Sequence, residues 1–145
     1  MTKIDMSEHT VRAFGEQLEA LSTSVAQMGG LAEAQFADAI ESIGKRDMSL
    51  AEAAIAGDPR IDQLQQFIED QAIKVLALRQ PMAIDLRDTL AAIKIASELE
   101  RVGDLAKNIA KRALVLNREP PIRLTLSLAR MGNVTLEQLK LVLDS

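Results

Sequence analysis

The chain has 145 residues, of which 48% are hydrophobic, and its formal net charge is −4. Its aromatic residues are three phenylalanines, and it contains no cysteine. This vocabulary of Ala, Leu and Ile is typical of close-packed helices, and the length suffices for one domain with a core. The acidic balance without a basic tract argues against a nucleic-acid binder. The absence of cysteine excludes thiol catalysis, disulfides and Cys-ligated zinc.

The first ten residues, M-T-K-I-D-M-S-E-H-T, contain no apolar stretch that could serve as a signal peptide. Apolar runs such as Val75 to Leu78 are far too short to span a bilayer. We therefore expect a soluble cytoplasmic protein without direct membrane insertion. An acidic protein of this kind can still lie at the inner face of the membrane through a membrane-bound partner.

The first predicted helix runs from Ser7 to Gly44. Its apolar positions recur every three or four residues, which is the pattern of a helix that packs on partner helices: Val11, Phe14, Leu18, Leu21, Val25, Met28, Ala32, Phe36, Ile40 and Ile43. Gly29 and Gly30 interrupt this helix. Because two glycines cost roughly 2 kcal/mol relative to alanine in a helix, they predict a bend or a close helix contact.

Asp47 or Ser49 is predicted to begin a second helix, and the Gly57-Asp58-Pro59 sequence to kink it. Gln80-Pro81 ends this helix, and a third helix extends from Met82 to Asn117. The apolar positions of the second helix are Leu50, Ala54, Gly57, Ile61, Leu64, Ile68, Val75 and Leu78. The sequence therefore predicts an all-α fold, an antiparallel three-helix bundle.

The third helix has an apolar seam and a polar stripe. The predicted seam advances by alternating steps of four and three residues and comprises Ile95, Leu99, Val102, Ala106, Ile109, Ala113 and Leu116. At ~100° per residue, Glu100, Asp104 and Asn108 fall on the side away from this seam. We expect them to form an outer or lateral polar face.

A fourth helix begins near Ile122 and repeats the first. Leu21 to Gly30 and Leu124 to Asn133 match at five of ten positions with an offset of 103 residues. A period of this size indicates that each repeat is a three-helix unit. We therefore expect residues 1–119 to form one repeat, and residues 120–145 to be the opening helix of a second repeat in a shortened form of a longer protein.

The fourth helix is apolar on more than one side, which predicts an exposed patch larger than soluble monomers normally tolerate. We expect it to dock on a neighbouring chain, in a homodimer or by a domain swap. In the alternative, it folds back as the fourth member of a closed four-helix bundle.

Candidate chemistry is limited to carboxylates. The chain has a single histidine, His9, no nucleotide-binding motif and no Glu-x-x-His pair of the di-iron type. Glu100 and Asp104 lie one turn apart on the third helix, and Asp58 and Asp62 lie one turn apart on the second. Such pairs could bind a hard cation. The alternative is solvated surface charge, with Asp104 neutralised by Arg101 and Lys107.

The chain resembles the PhoU family of cytoplasmic regulators of bacterial phosphate uptake over its whole length. The resemblance rests on E-L-E-R-V-G-D-L-A-K-N-I-A from Glu98, R-Q-P-M-A-I-D-L-R from Arg79 and M-G-G from Met28. It implies two three-helix repeats with E/D-x-x-x-D motifs that hold iron or another hard metal in some members. Residues matched to these motifs are Glu100, Asp104, Asp58 and Asp62 as metal ligands, and Arg101, Asn108, Asp85 and Arg87 as further motif or partner-binding positions.

The resemblance further implies a non-catalytic role as negative regulator of the phosphate-starvation response. Members of the family are thought to bridge the phosphate ABC transporter, through its ATPase, and a sensor histidine kinase. A metal-binding storage or redox protein is one alternative, and a structural helical spacer without metal or partner is another.

Overall fold

The computed structural model describes residues 3–79, 83–121 and 125–145, and every regular element within these ranges is an α-helix. In chain order the helices are α1 (Lys3–Gly44), α2 (Met48–Ala56), α3 (Asp58–Arg79), α4 (Ala83–Leu116) and α5 (Thr125–Asp144). The prediction of an all-α fold is confirmed. The predictions for the side chains of His9, Val11 and Leu78, and for a helix start near Ile122, lie outside what the structure describes.

Helix α1, the α2–α3 pair and α4 form an up-down-up bundle. Helix α1 packs against each of the other four helices, and α4 packs against α1, α2 and α3. Arg46, after α1, donates a hydrogen bond to the carbonyl of Asn117, after α4, so the C-terminal ends of these two helices lie together. Helices α1 and α4 are thus parallel, and the α2–α3 pair runs in the opposite direction, as the predicted bundle requires.

Two caps set the bounds of α2, one at its start and one at the predicted kink. Asp47 is the N-cap of α2, because its side chain accepts from the backbone N–H groups of Ser49 and Leu50. Gly57 then ends α2, and Pro59 lies in the first turn of α3, where a missing N–H costs nothing. The predicted kink is therefore a break into two helices.

The core is lined largely by small side chains on α4. Ala92, Ala96 and Leu99 are buried, whereas Ile95 is 45% exposed. The predicted place of Ile95 in the seam is therefore wrong. Alanines let the helix backbones approach closely, so the buried line follows small residues and the larger isoleucine lies on the flank.

Helix α5 packs antiparallel along α1. Ile40 lies against Gly132, and Leu143 lies against Gly29. These two contacts are equivalent under the 103-residue repeat, because Gly132 corresponds to Gly29 and Leu143 corresponds to Ile40. The sequence repeat therefore appears as a local twofold relation between α1 and α5. Gly29 marks a close helix contact, one of the two outcomes predicted for the glycine pair.

The outer face of α5 remains uncovered. Within the described residues, the backbone of α5 lies against α1 alone, so a closed four-helix bundle is not formed. Its exposed apolar residues include Leu126, Met131, Val134, Leu141 and Val142. Contact of this face with a second chain stays a prediction.

Candidate functional site

The structure brings the two predicted carboxylate pairs together. Asp58 and Asp62 lie in the first two turns of α3, and Glu100 and Asp104 lie one turn apart on α4. Burial raises the pKa of Glu100, and the charges of Asp62, Asp104 and Asp58 raise it further, so the two pairs lie within electrostatic range of each other. We call these four residues the acidic cluster.

Gly103 sets the close approach of α4 to its neighbours at the level of the cluster. A Cβ atom at this position would lie 3.0 Å from Ile61 Cδ1 and 2.9 Å from Gln35 Oε1. The absence of a side chain therefore allows α4 to contact α3 and α1 between Glu100 and Asp104. Close approach of the backbones places the two acidic pairs within electrostatic range.

Carboxylates of the cluster repel one another. Partial burial raises the pKa of Asp62, and the charges of Asp58 and Asp104 raise it further. For Glu100 too, partial burial is the largest cause of the raised pKa, and the negative charges of Asp62, Asp104 and Asp58 are the next largest. The ionised cluster therefore carries a local excess of negative charge that an additional cation would reduce.

Asp58 is the buried member of the cluster. Its side chain is 8% exposed, and its Oδ2 atom accepts a hydrogen bond from Lys107 Nζ at 3.2 Å. Oδ1 is buried and makes no hydrogen bond. The N-terminal end of α3 and the Lys107 ammonium both stabilise a negative charge at this position.

The ion pairs differ from the predicted surface arrangement. Arg101 contacts Glu98 at 3.6 Å, and Lys107 contacts Asp58 on the neighbouring helix. In the described part of the chain, neither cation forms an ion pair with Asp104. Arg101 and Lys107 therefore do not neutralise Asp104 by direct contact, because Lys107 extends across to α3, although the Lys107 charge still acts on Asp104.

The other predicted site residues lie apart from these contacts. Asn108 is exposed on α4, one turn beyond Asp104, in agreement with the predicted polar face. Asp85 lies in the first turn of α4, where its carbonyl accepts from Thr89 Oγ1 at 2.7 Å. Arg87 is exposed nearby. A role for these residues in partner binding stays a prediction.

Gln35 is a site-supporting residue that the sequence did not indicate. It is buried on α1, and its Nε2 donates to the carbonyl of Ala54 at 2.7 Å. That carbonyl lies in the last turn of α2, where helical acceptors lack partners within the helix. Gln35 thereby ties α1 to the α2–α3 junction that carries Asp58. The available signal was the position of this long polar side chain between the apolar residues Ala32 and Ala39 of the same helix.

The donor chemistry of the acidic cluster fits a hard metal cation. Carboxylate oxygens are the ligands that such cations prefer, and Asp58 Oδ1 is a buried oxygen without a partner. Among the side chains that the structure describes, no three histidine or carboxylate groups converge as a ready-made ligand set. Metal binding would therefore require the side chains of the cluster to rearrange, including that of Asp58, which Lys107 now contacts.

The helices that the structure describes include none with a stretch long and apolar enough to cross a membrane.

Fold and site together define a helical-bundle protein with an acidic cluster at the surface between two of its helices. Residues 25–113 match the model of the family described as PhoU domain. Because this match covers more than half of the sequence, the chain belongs to the PhoU family.

Curated relatives carry matching names. A "Phosphate-specific transport system accessory protein PhoU homolog" of Caulobacter vibrioides (strain NA1000 / CB15N) is 53% identical over 141 residues, which are 97% of this chain and 61% of that protein. The homolog of Rhizobium meliloti (strain 1021) is 42% identical over 94% of this chain and 58% of its own length. The PhoU protein of Edwardsiella tarda is 38% identical over 100% of this chain and 60% of its own. The chain thus spans about three fifths of the length of these relatives.

Proposed function

We propose that the chain acts in negative regulation of the phosphate-starvation response, as an accessory protein of phosphate uptake without a catalytic step of its own. The observation that carries this proposal is the match to phosphate-transport accessory proteins over almost the whole chain, at up to 53% identity. The names of these relatives favour a regulatory role over the storage, redox and spacer alternatives.

The proposed partners are the ATPase of the phosphate ABC transporter and a sensor histidine kinase. In this role the chain is cytoplasmic and lies at the inner face of the membrane through the transporter. The uncovered apolar face of α5 supports a further contact, with a second copy in a homodimer. Light scattering at micromolar concentration tests that contact, and a stable monomer would contradict it.

Deletion of the gene in its host tests the regulatory role. A phosphate-starvation reporter measured in phosphate-rich medium should rise in the deletion strain and return to its low level when the gene is restored. A reporter that stays low in the deletion strain would contradict the proposal.

We further propose that the acidic cluster binds iron or another hard divalent or trivalent metal. Glu100 and Asp104 supply one pair of ligands, and Asp58 and Asp62 supply the other. Bound metal would neutralise the like charges between α3 and α4 and fix the surface that these helices present. Metal analysis and calorimetry on the double variant Glu100→Gln with Asp104→Asn should show loss of binding. Unchanged binding in that variant would remove these two residues from the site.

A further inference from the structure

Lys107 is placed as a counter-ion of the acidic cluster. Its Nζ atom crosses from α4 to α3 and lies 3.2 Å from Asp58 Oδ2, whereas Arg101 is paired with Glu98. The Lys107 side chain is 29% exposed, so water only partly surrounds it. Within the described residues, Lys107 is thus the cation in direct contact with the cluster.

The Lys107 ammonium group does not satisfy every hydrogen-bond acceptor of the acidic cluster. It contacts Oδ2 of Asp58, while the buried Oδ1 atom of the same carboxylate has no hydrogen bond. An unsatisfied buried acceptor is unfavourable, more so when it belongs to a charged group. Asp62, Glu100 and Asp104 bring the cluster to four carboxylates, and Lys107 is the cation in direct contact with it among the described residues. The arrangement therefore retains attraction for a cation of higher charge.

We propose that Lys107 is an internal competitor for the acidic cluster, and that a hard metal cation binds there by displacing the Lys107 ammonium from Asp58. This inference rests on the metal-binding role proposed above and concerns its regulation.

The competition follows from distance and charge. A metal ion needs carboxylate oxygens within about 2.0–2.6 Å, and an ammonium group on the same carboxylate repels it. Lys107 therefore lowers the affinity of the cluster for metal. Competition from Lys107 also selects for metal ions of higher charge. Such ions are attracted to several carboxylates more strongly than one ammonium group is. The opposite role, in which Lys107 orients Asp58 for the metal, predicts weaker binding when Lys107 is removed.

Calorimetric titration of the full chain with MnCl₂ distinguishes these roles. Lys107→Met removes the charge and keeps the apolar stem, while Lys107→Arg keeps the charge. Lys111→Met, one turn further along α4 at an exposed position, is the matched control for loss of one positive charge. We expect Lys107→Met to bind Mn²⁺ about tenfold more tightly than the original chain. Lys107→Arg should stay within about threefold of the original chain because it keeps the positive charge at the cluster. Lys111→Met should also stay within about threefold, because a distant exposed charge is screened.

Thermal unfolding with and without Mn²⁺ provides a second readout. The rise in melting temperature caused by the metal should be larger in Lys107→Met, and Lys107→Gln replaces that variant if circular dichroism shows that it does not fold. Equal or weaker Mn²⁺ binding by the neutral variants would overturn the competitor role while leaving the metal site in place. Absence of Mn²⁺ binding in every one of these proteins would overturn the metal site, and the competition with it.

Discussion

Replacement of Gly132 by alanine is expected to weaken the contact between α5 and α1. The added Cβ atom would lie 2.4 Å from Cδ1, 2.6 Å from Cγ2 and 2.7 Å from Cγ1 of Ile40. Ile40 is itself 7% exposed and packed in the core, so it cannot turn away without disturbing its neighbours. At Gly30, by contrast, a Cβ atom meets nothing within 4 Å. Gly30→Ala is therefore the matched control.

The magnitude follows from the difference between the two variants. Each substitution gains about 1 kcal/mol of helix propensity, and this gain cancels in the comparison. Overpacking against Ile40 costs about 1–3 kcal/mol. Gly132→Ala should therefore be less stable than Gly30→Ala by about 2 kcal/mol. Gly29→Ala should lie between them, because its closest contact is the end of the Leu143 side chain at 2.9 Å.

Urea unfolding followed by far-ultraviolet circular dichroism measures this difference. With a slope of about 2 kcal/mol per molar urea, the two midpoints should separate by about 1 M. Amide hydrogen exchange in α5 should also be faster in Gly132→Ala. If Gly132→Ala stabilised the chain as much as Gly30→Ala does, the packing of α5 on α1 would be refuted.

Four further substitutions test the core, a helix cap and the acidic cluster by the same assay. Leu99→Ala should cost about 2–5 kcal/mol as a buried truncation, whereas Ile95→Ala, at an exposed position, should cost about 0.5 kcal/mol or less; equal costs would contradict the assigned seam. Hydrogen bonds from Ser49 and Leu50 lower the pKa of Asp47, so its cap stabilises the fold above the unfolded pKa of about 3.9 and is lost as pH falls through the lower folded-state pKa. Asp47→Asn should keep the cap near neutral pH and lose that pH-dependent step; an unchanged step would contradict the cap. The pKa of Glu100 is raised, so its unfavourable charge acts above the folded-state pKa and vanishes below the unfolded pKa of about 4.3. In chelator-treated buffer near neutral pH, Glu100→Gln should therefore stabilise the chain by about 0.3 kcal/mol, and a destabilised variant would contradict the repulsion.

Much of the fold could be predicted because local signals determine it. Prolines and cap residues placed the helix ends within a few residues, and the break after Gly57 followed from a glycine and a proline in sequence. Ile95 and Ala96 precede the buried Leu99 by four and three residues, so helical periodicity admits either of them, and the burial of Ile95 was predicted wrongly. In this bundle the close approach of α1 and α4 selects small residues, such as Ala92 and Ala96, for the buried line.

The candidate site was predictable in composition but not in its contacts. The spacing of Asp58 with Asp62 and of Glu100 with Asp104 identified the carboxylates that the structure brings together. The Lys107–Asp58 ion pair joins residues 49 positions apart. It depends on the register between α3 and α4, which no local pattern specifies. The same holds for Gln35, whose partner Ala54 belongs to another helix.

The adaptor role is tested most directly by the binding of this chain to the purified ATPase subunit of the phosphate transporter, measured by interferometry with phosphate present. We expect saturable binding with a Kd of about 10 μM or tighter, and no binding to the ATPase subunit of an unrelated transporter. Failure to bind the phosphate-transporter ATPase, or equal binding to both subunits, would contradict the proposed role.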